Sequence, residues 1–219
     1  MDKILVEIKQ ALGGLTKDTG LKTSDVRKIS SKVFKKLENK SIDNVLLLCE
    51  ELLNERSWAM GVIAYDWAYR VRKQYDDKTY EVFYRWLVEY VRGWGDCDDF
   101  CTHAFGELIR QNKDLYQEVL KWTRCEKFWV RRASAVVLIP SINHNDYEKI
   151  DPFQISNLLL KDENHLVLKG YGWMLKVFSQ KEQDMVFHYL EKNRKIMPRI
   201  AFRYALEKID TDKKAFLMK

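Results

Sequence analysis

Residues 58–71 read WAMGVIAYDWAYRV, a stretch in which apolar side chains recur three and four positions apart. Residues 26–37 and 42–53 show the same spacing, which places the apolar side chains of a helix on one face. Alternation of β-branched with polar residues, the pattern typical of strands, is nearly absent. Only three prolines and nine glycines punctuate the 219 residues. The sequence therefore predicts an all-α protein.

Segments that open with tryptophan recur along the chain at nearly constant intervals. Trp58 opens WAMGVIAY, Trp94 opens WGDCDDFC and Trp129 opens WVRRASAV, at separations of 36 and 35 residues. Further units begin near Leu166 and near Pro198, where a proline suits the first turn of a helix. A constant interval in an all-α chain predicts a structural repeat of about 35 residues.

Helices are also expected between these segments, at residues 79–91, 115–123, 151–160 and 181–192. The resulting unit is helix–turn–helix, repeated about five times, which is typical of an α-solenoid of HEAT-like helical-pair repeats. Because no linker rich in Pro, Gly or Ser interrupts the chain, we predict a single repeat domain over residues 1–219. Stacking would place the second helix of each repeat along one concave wall, which is expected to bind the partner.

Charge and cysteine usage limit the classes of partner and the location. The chain carries 38 Lys and Arg against 32 Asp and Glu, a formal net charge of +6 that is compatible with a polyanionic partner. No apolar run approaches the roughly 20 residues of a membrane-spanning helix, and the start, MDKIL, lacks a signal-peptide pattern. Cys49, Cys97, Cys101 and Cys125 form no CxxC pair, which favours reduced thiols. We therefore expect a cytoplasmic protein without membrane association.

Three residues are charged or aromatic at positions where a plain helical scaffold needs no such side chain: Asp98, Arg132 and Trp173. They lie 34 and 41 residues apart, close to the repeat interval, so stacked repeats can bring them onto one surface. Asp98 shares a helical stripe with Trp94 and Cys101, which carry no charge. The alternative is that Asp98 only complements the helix dipole in a first turn.

Arg132 and Trp173 each allow a structural and a functional interpretation. Arg132 lies on an apolar stripe, where an arginine is usually paired with an acid such as Asp98 or directed at a ligand phosphate. Trp173 shares its stripe with Lys169 and Lys176. An indole beside cations can bind a base or ribose together with a phosphate. Alternatively, the lysine stems cover a tryptophan at the edge of the core.

The sequence predicts no metal site and no cofactor. Cys97, Cys101 and His103 lie close together in the sequence, but no fourth ligand has a spacing suitable for zinc. The chain also lacks a glycine-rich loop of the kind that holds nucleotide phosphates.

Four segments resemble motifs of the DNA alkylation repair family of HEAT-like repeat alkylpurine DNA glycosylases. Residues 20–27, GLKTSDVR, resemble the family's Gly-(Val/Ile)-(Arg/Lys)-x-Pro-x-x-Arg signature. Residues 94–98, WGDCD, resemble Trp-Asp-x-(Val/Cys)-Asp, and residues 129–134, WVRRAS, resemble Trp-Leu-x-Arg-Ala-Ala. Residues 169–175, KGYGWML, are similar to Lys-Ala-x-Gly-Trp-x-Leu.

The resemblance runs over residues 19–209, and it departs from the family pattern at Gly95 and Ser24, where Asp and Pro are usual. It implies a DNA glycosylase that excises cationic N3- or N7-alkylated purines by hydrolysing the N-glycosidic bond. The base would stay in the duplex instead of entering a deep pocket. The implied partner is double-stranded DNA containing alkylated bases, bound by a monomer.

The resemblance also implies a role for each candidate residue. Asp98 would stabilise the cationic sugar and orient the attacking water, while Trp94 and Trp173 would flank the deoxyribose. The residues implied to contact DNA are Arg132, at a backbone phosphate, and Lys169, Arg199 and Arg203, along the groove.

Two other functions stay open. A HEAT-like repeat protein can bind branched or distorted DNA without excising a base, and its binding would then be salt-sensitive without base release. Such repeats also serve as protein-interaction scaffolds, which would present an apolar groove and have little affinity for DNA.

Overall fold

The regular structure of the described chain is helical throughout. The computed structural model describes residues 2–14 and 21–218, and within these ranges it contains fifteen α-helices, three short 3₁₀ turns and no strand. The all-α prediction is therefore confirmed. The chain forms two compact units, Met1–Tyr90 and Val91–Lys219, and one continuous repeat domain stays a prediction. Gly20, the first residue of the N-terminal motif, lies outside the described residues.

The first unit is built around its fourth helix. Its helices are α1 (Asp2–Gly13), α2 (Thr23–Lys35), α3 (Ile42–Asn54), α4 (Trp58–Arg70) and α5 (Asp77–Glu89). Helix α4 packs against α2 and α3 and buries Ile63, Tyr65 and Trp67. The Trp67 indole donates a hydrogen bond of 3.2 Å to the carbonyl oxygen of Ser30 in α2, which satisfies its one polar atom. The apolar stretch of residues 58–71 thus forms the centre of this unit.

The second unit repeats a pair of helices at the predicted interval. Its helices are α6 (Trp94–Thr102), α7 (Ala104–Gln111), α8 (Tyr116–Trp122), α9 (Phe128–Val136), α10 (Ile139–Asn143), α11 (Pro152–Leu159), α12 (His165–Phe178), α13 (Gln183–Asn193), α14 (Arg199–Ala205) and α15 (Thr211–Met218). Helices α6, α9, α12 and α14 begin 34 to 37 residues apart, and α8, α11 and α13 fill the intervening positions. This spacing agrees with the repeat inferred from the tryptophans.

The helical stretch that begins at Trp94 is interrupted. His103 has φ −123° and ψ −97°, which interrupts the helical backbone between α6 and α7. Helix α7 then approaches α10 closely, since a Cβ at Gly106 would lie 2.5 Å from Cγ of Pro140. Glycine at this position is therefore required for the packing of the two short helices.

Helix α12 is the central element of the second unit. It packs against α9, α10, α11 and α14, while α9 also packs against α6, and Tyr171, Met174 and Leu175 of α12 are buried. Helices α6, α9, α12 and α14 therefore follow one another as neighbours, and side chains on their common side can meet. Of the helices described, none is both long and apolar enough to cross a membrane.

Candidate functional site

A groove in the second unit collects five of the seven candidate residues. Its volume is about 520 Å³, and the residues that line it are Trp94, Asp98, Arg132, His165, Leu166, Lys169, Trp173, Lys176 and Tyr204. They come from α6, α9, α12 and α14, the four helices that begin successive repeats. The expectation that the second helix of each repeat forms the binding wall is therefore wrong for this groove. Positions far apart in the sequence thus share one surface, as the 34- and 41-residue spacings predict.

Helix α6 presents Trp94 and Asp98 on one side. The two residues are one turn apart and both line the groove, whereas Cys97 and Cys101 of the same helix are buried. Trp94 is the first residue of α6 and is 57% exposed, so its indole face is available to a ligand. The groove is therefore bordered by an aromatic surface directly beside a carboxylate.

Asp98 and Arg132 form a two-point ion pair across α6 and α9. Nε and Nη2 of Arg132 donate hydrogen bonds to Oδ1 and Oδ2 of Asp98, each 2.7 Å long, and Nη1 donates to the carbonyl oxygen of Leu166. Burial alone would lower the pKa of Arg132, but the hydrogen bonds and negative charge of Asp98 raise it above its ordinary value. The pair fixes the plane of the carboxylate within the groove.

The ion pair restricts the phosphate contact implied for Arg132. Only 5% of the arginine is exposed, and three of its five N–H donors are used within the protein. The ion pair with Asp98, one of the two interpretations of the sequence, is present. A phosphate would have to reach the remaining two donors from the groove.

Helix α12 supplies the opposite side of the groove. Lys169, Trp173 and Lys176 follow one another at helical spacing, and all three side chains are half-buried. Lys176 pairs with Glu207, whereas the Lys169 ammonium has no carboxylate within ion-pair distance in the described chain. Lys169 therefore provides a cation in the groove that no acid of the described residues neutralises.

Comparison with known proteins identifies the chain. A family model described as DNA alkylation repair enzyme matches residues 16–209. The chain belongs to this family. Its membership supports a role in the repair of alkylated DNA. No curated protein matches the chain.

Two solved structures resemble this DNA alkylation repair protein in fold. One is described as a predicted DNA alkylation repair enzyme from Enterococcus faecalis, with 15% identity, coverage of 88% of each chain and a TM-score of 0.71. The other is AlkD2 from Streptococcus mutans, with 21% identity, coverage of 93% of this chain and 100% of that chain, and a TM-score of 0.64. The predicted HEAT-like repeat fold is confirmed.

Sequence reasoning missed three residues of the groove in this repair protein: His165, Leu166 and Tyr204. Leu166 contributes through its backbone carbonyl, which carries no sequence signal. Tyr204 reaches the groove because α14 packs very close to α12, since a Cβ at Gly172 would lie 2.8 Å from the Cβ of Tyr204. The glycine of the Gly-Trp motif is a signal that could have indicated this close approach.

Two of the predicted DNA contacts, Arg199 and Arg203, do not line this groove. The Arg199 guanidinium lies 5.8 Å from the ring centroid of Phe202 and donates to Sδ of Met218 over 3.5 Å. Arg203 is exposed and lines a separate groove formed by α14 and α15. Contact of either residue with DNA stays a prediction.

The sequence predicts no metal site, and the residues weighed for one, Cys97, Cys101 and His103, lie in α6 and directly after it. Cys97 and Cys101 are buried, and Sγ of Cys97 lies 3.4 Å from the carbonyl oxygen of Trp129. His103 Nδ1 lies 2.8 Å from the carbonyl oxygen of Asp99. In residues 2–14 and 21–218, no group of three or more His, Cys, Asp or Glu side chains is arranged to hold a metal ion. The charged and aromatic groups available in the groove include Asp98, Arg132, the two indoles and the lysines.

Proposed function

We propose that this protein is a DNA glycosylase that excises cationic N3- or N7-alkylated purines from double-stranded DNA. The bond broken is the N-glycosidic bond, and water supplies the oxygen that replaces the base. The single observation that carries the proposal is Asp98, held at both oxygens by Arg132 in a groove that also contains Trp94 and Trp173. The family match supports it, since the matched residues include the whole groove.

An alkylated purine of this class already carries a positive charge, so it can leave without being protonated. The demand on the protein is then at the sugar, which becomes oxocarbenium-like as the bond breaks. A fixed carboxylate stabilises that cation and orients the attacking water. Asp98 retains acceptor capacity for this role, because a carboxylate has about four lone-pair sites and Arg132 occupies two of them.

The indoles and the cation in the groove have complementary roles. Trp94 and Trp173 place electron-rich faces beside the deoxyribose, where cation–π attraction strengthens as positive charge develops. Lys169 binds a backbone phosphate of the same strand, because its ammonium is not neutralised by an acid of the described residues. Arg132 acts mainly through Asp98, whose carboxylate it orients.

The proposed substrate geometry follows from the open side of the groove. The 57% exposure of Trp94 supports a mode in which the indole meets the deoxyribose of a duplex, while the base itself stays outside any deep pocket. Hydrolysis of this kind needs only water, a carboxylate and the charged base, so the proposed reaction uses no cofactor. The proposed acting form is a monomer, since the residues of one chain suffice to line the groove.

The test is release of free 7-methylguanine from methylated duplex DNA under single-turnover conditions. We expect Asp98→Asn to lower the rate by about a hundredfold or more, the size of effect seen when one charge-stabilising group is removed from an active site. Asp96→Asn is the matched control, because Asp96 lies on the same helix but does not line the groove. Equal release by wild type and Asp98→Asn would sink the role given to Asp98.

One observation favours a second function, binding of distorted or branched DNA without base excision. Because Arg132 pairs with both oxygens of Asp98, much of the negative charge available to a sugar cation is balanced within the protein. A protein of this kind would bind DNA with strong salt dependence and release no base. The release assay together with a binding measurement on the same duplex separates the two functions. Binding by the wild type without release of 7-methylguanine supports the second function.

A further inference from the structure

A second groove lies beside the first, on α14 and α15. Its volume is about 450 Å³, and the residues that line it are Ile200, Arg203, Tyr204, Leu206, Glu207, Lys214 and Met218. Tyr204 lines both grooves, and the Lys176–Glu207 ion pair joins a residue of the first to a residue of the second. The two grooves are therefore adjacent, with Tyr204 between them.

The charges of the second groove favour an anion. Arg203 and Lys214 are exposed, and neither has a carboxylate within ion-pair distance among the residues that the structure describes. The single acid of the groove, Glu207, is already neutralised by Lys176. Two unbalanced positive charges thus border an apolar floor that includes Ile200.

A groove in the first unit gives a useful contrast. The charged residues that line it are Asp43, Glu50, Asp76, Lys78 and Arg85, three acids against two bases. That groove has no excess of positive charge, and Arg85 is paired with Glu50. The groove of the first unit therefore lacks the unpaired positive pair that borders the groove on α14 and α15.

We infer that the second groove binds the sugar–phosphate backbone of the DNA strand that flanks the lesion on one side. Arg203 and Lys214 contact successive phosphates, and the apolar floor receives the deoxyribose faces between them. Tyr204 lies at the junction, so the strand passes over it on leaving the lesion groove. This inference rests on the proposed function, and it adds a direction: the DNA contact extends further on one side of the lesion.

The test measures binding to three duplexes of about 20 base pairs, or two helical turns. Each contains one tetrahydrofuran abasic analogue, which has no base to release, placed at the centre, near the 5′ end or near the 3′ end of its strand. The variant is Arg203→Gln with Lys214→Gln. On the central duplex we expect the slope of log K against log salt to fall by about two units, one for each lost phosphate contact.

The two end-lesion duplexes test the direction. One of them lacks the flank that would lie over the second groove, and on it wild type and variant should show the same slope. On the other end-lesion duplex, the difference in slope between wild type and variant should be as large as on the central duplex. The matched control is Lys121→Gln with Lys149→Gln, which removes the same charge from exposed lysines that line neither groove.

Each remaining outcome overturns the inference in a distinguishable way. An unchanged slope on the central duplex, or the same loss on all three duplexes, overturns the flank assignment and leaves the glycosylase proposal standing if wild type still releases 7-methylguanine. A loss of equal size in the control variant overturns it too, since the effect would then come from net charge. If wild type binds none of the duplexes, this inference fails, and release of 7-methylguanine decides separately whether the proposed function stands.

Discussion

Arg132 lies against the bare Cα of Gly170, so that the guanidinium of α9 rests on the backbone of α12. A Cβ at Gly170 would lie 3.0 Å from Cγ and 3.3 Å from Nη1 of Arg132. The same Nη1 donates to the carbonyl of Leu166, one helical turn earlier. Gly170 therefore gives Arg132 room that a side chain at this position would occupy.

Gly170→Ala should therefore lower activity through Arg132. The added methyl group forces the arginine to move by a few tenths of an ångström, which misaligns its two hydrogen bonds to Asp98. We expect base release to fall about tenfold, since small misplacements of reacting groups are costly. Stability should change little, because alanine in a helix interior gains about 1 kcal/mol over glycine and offsets the crowding.

A double-mutant cycle and a second glycine make this prediction specific. In an Arg132→Met background, Gly170→Ala should have no further effect on base release, because the side chain it displaces is gone. Gly95→Ala is the matched control, since a Cβ at this helical glycine meets nothing within 4 Å. If Gly170→Ala slows base release equally with and without Arg132, Gly170 does not act by leaving room for the arginine.

The sequence predicts much of this site because helical periodicity records which side chains share a face. Asp98 and Arg132 are charges on apolar stripes one repeat apart, so the sequence allows their pairing, which the structure contains. Periodicity does not record how closely two helices approach, and Tyr204 and Gly170 depend on that distance. Periodicity also does not show which of two neighbouring grooves an exposed arginine lines. The sequence places Arg203 in the same groove as Asp98, whereas it lines the second groove.

Removal of Arg132 should destabilise the protein as well as inactivate it. Arg132→Met leaves the largely buried carboxylate of Asp98 without its partner, which costs about 3 kcal/mol. Arg132→Lys keeps the charge but cannot form a two-point contact, so it should be more stable than Arg132→Met and still slow in base release. Urea unfolding followed by circular dichroism measures the first effect, and the single-turnover assay measures the second.

The control for this prediction is the double variant Asp98→Asn with Arg132→Met. It contains no unpaired charge at this position, so its unfolding midpoint should lie above that of Arg132→Met alone. A midpoint no higher than that of the single variant would show that the loss comes from packing of the arginine stem and not from the stranded carboxylate.

The aromatic face of Trp94 should matter for rate and little for stability. We expect Trp94→Leu to slow base release about fivefold, since a cation–π contact contributes about 1 kcal/mol, while Trp94→Phe should lose less. Thermal unfolding should be nearly unchanged, because the side chain is already largely exposed. Trp58→Leu is the control, an exposed tryptophan of the first unit. Equal rates for Trp94→Leu and Trp94→Phe would argue against a role for the ring face.

The four cysteines should differ sharply in reactivity towards a thiol reagent such as DTNB. All four are free, but Cys49, Cys97 and Cys101 are buried and only Cys125 is partly exposed. Burial raises the pKa of Cys49 and of Cys101 well above the ordinary thiol value. A raised pKa means less thiolate, the reactive form, at any pH below it, so moderate alkali does not activate these two groups.

At about pH 8, near the ordinary thiol pKa, we therefore expect one fast-reacting thiol in the native protein and four in denaturant. Cys125→Ser should remove the fast phase and leave the slow one, which then reports opening of the helical packing around α3 and α6. Binding of duplex DNA at the lesion groove should slow that phase at Cys101, because the DNA holds α6 closed through Trp94 and Asp98. A fast phase that persists in Cys125→Ser would mean that α3 or α6 opens far more readily than its buried contacts allow.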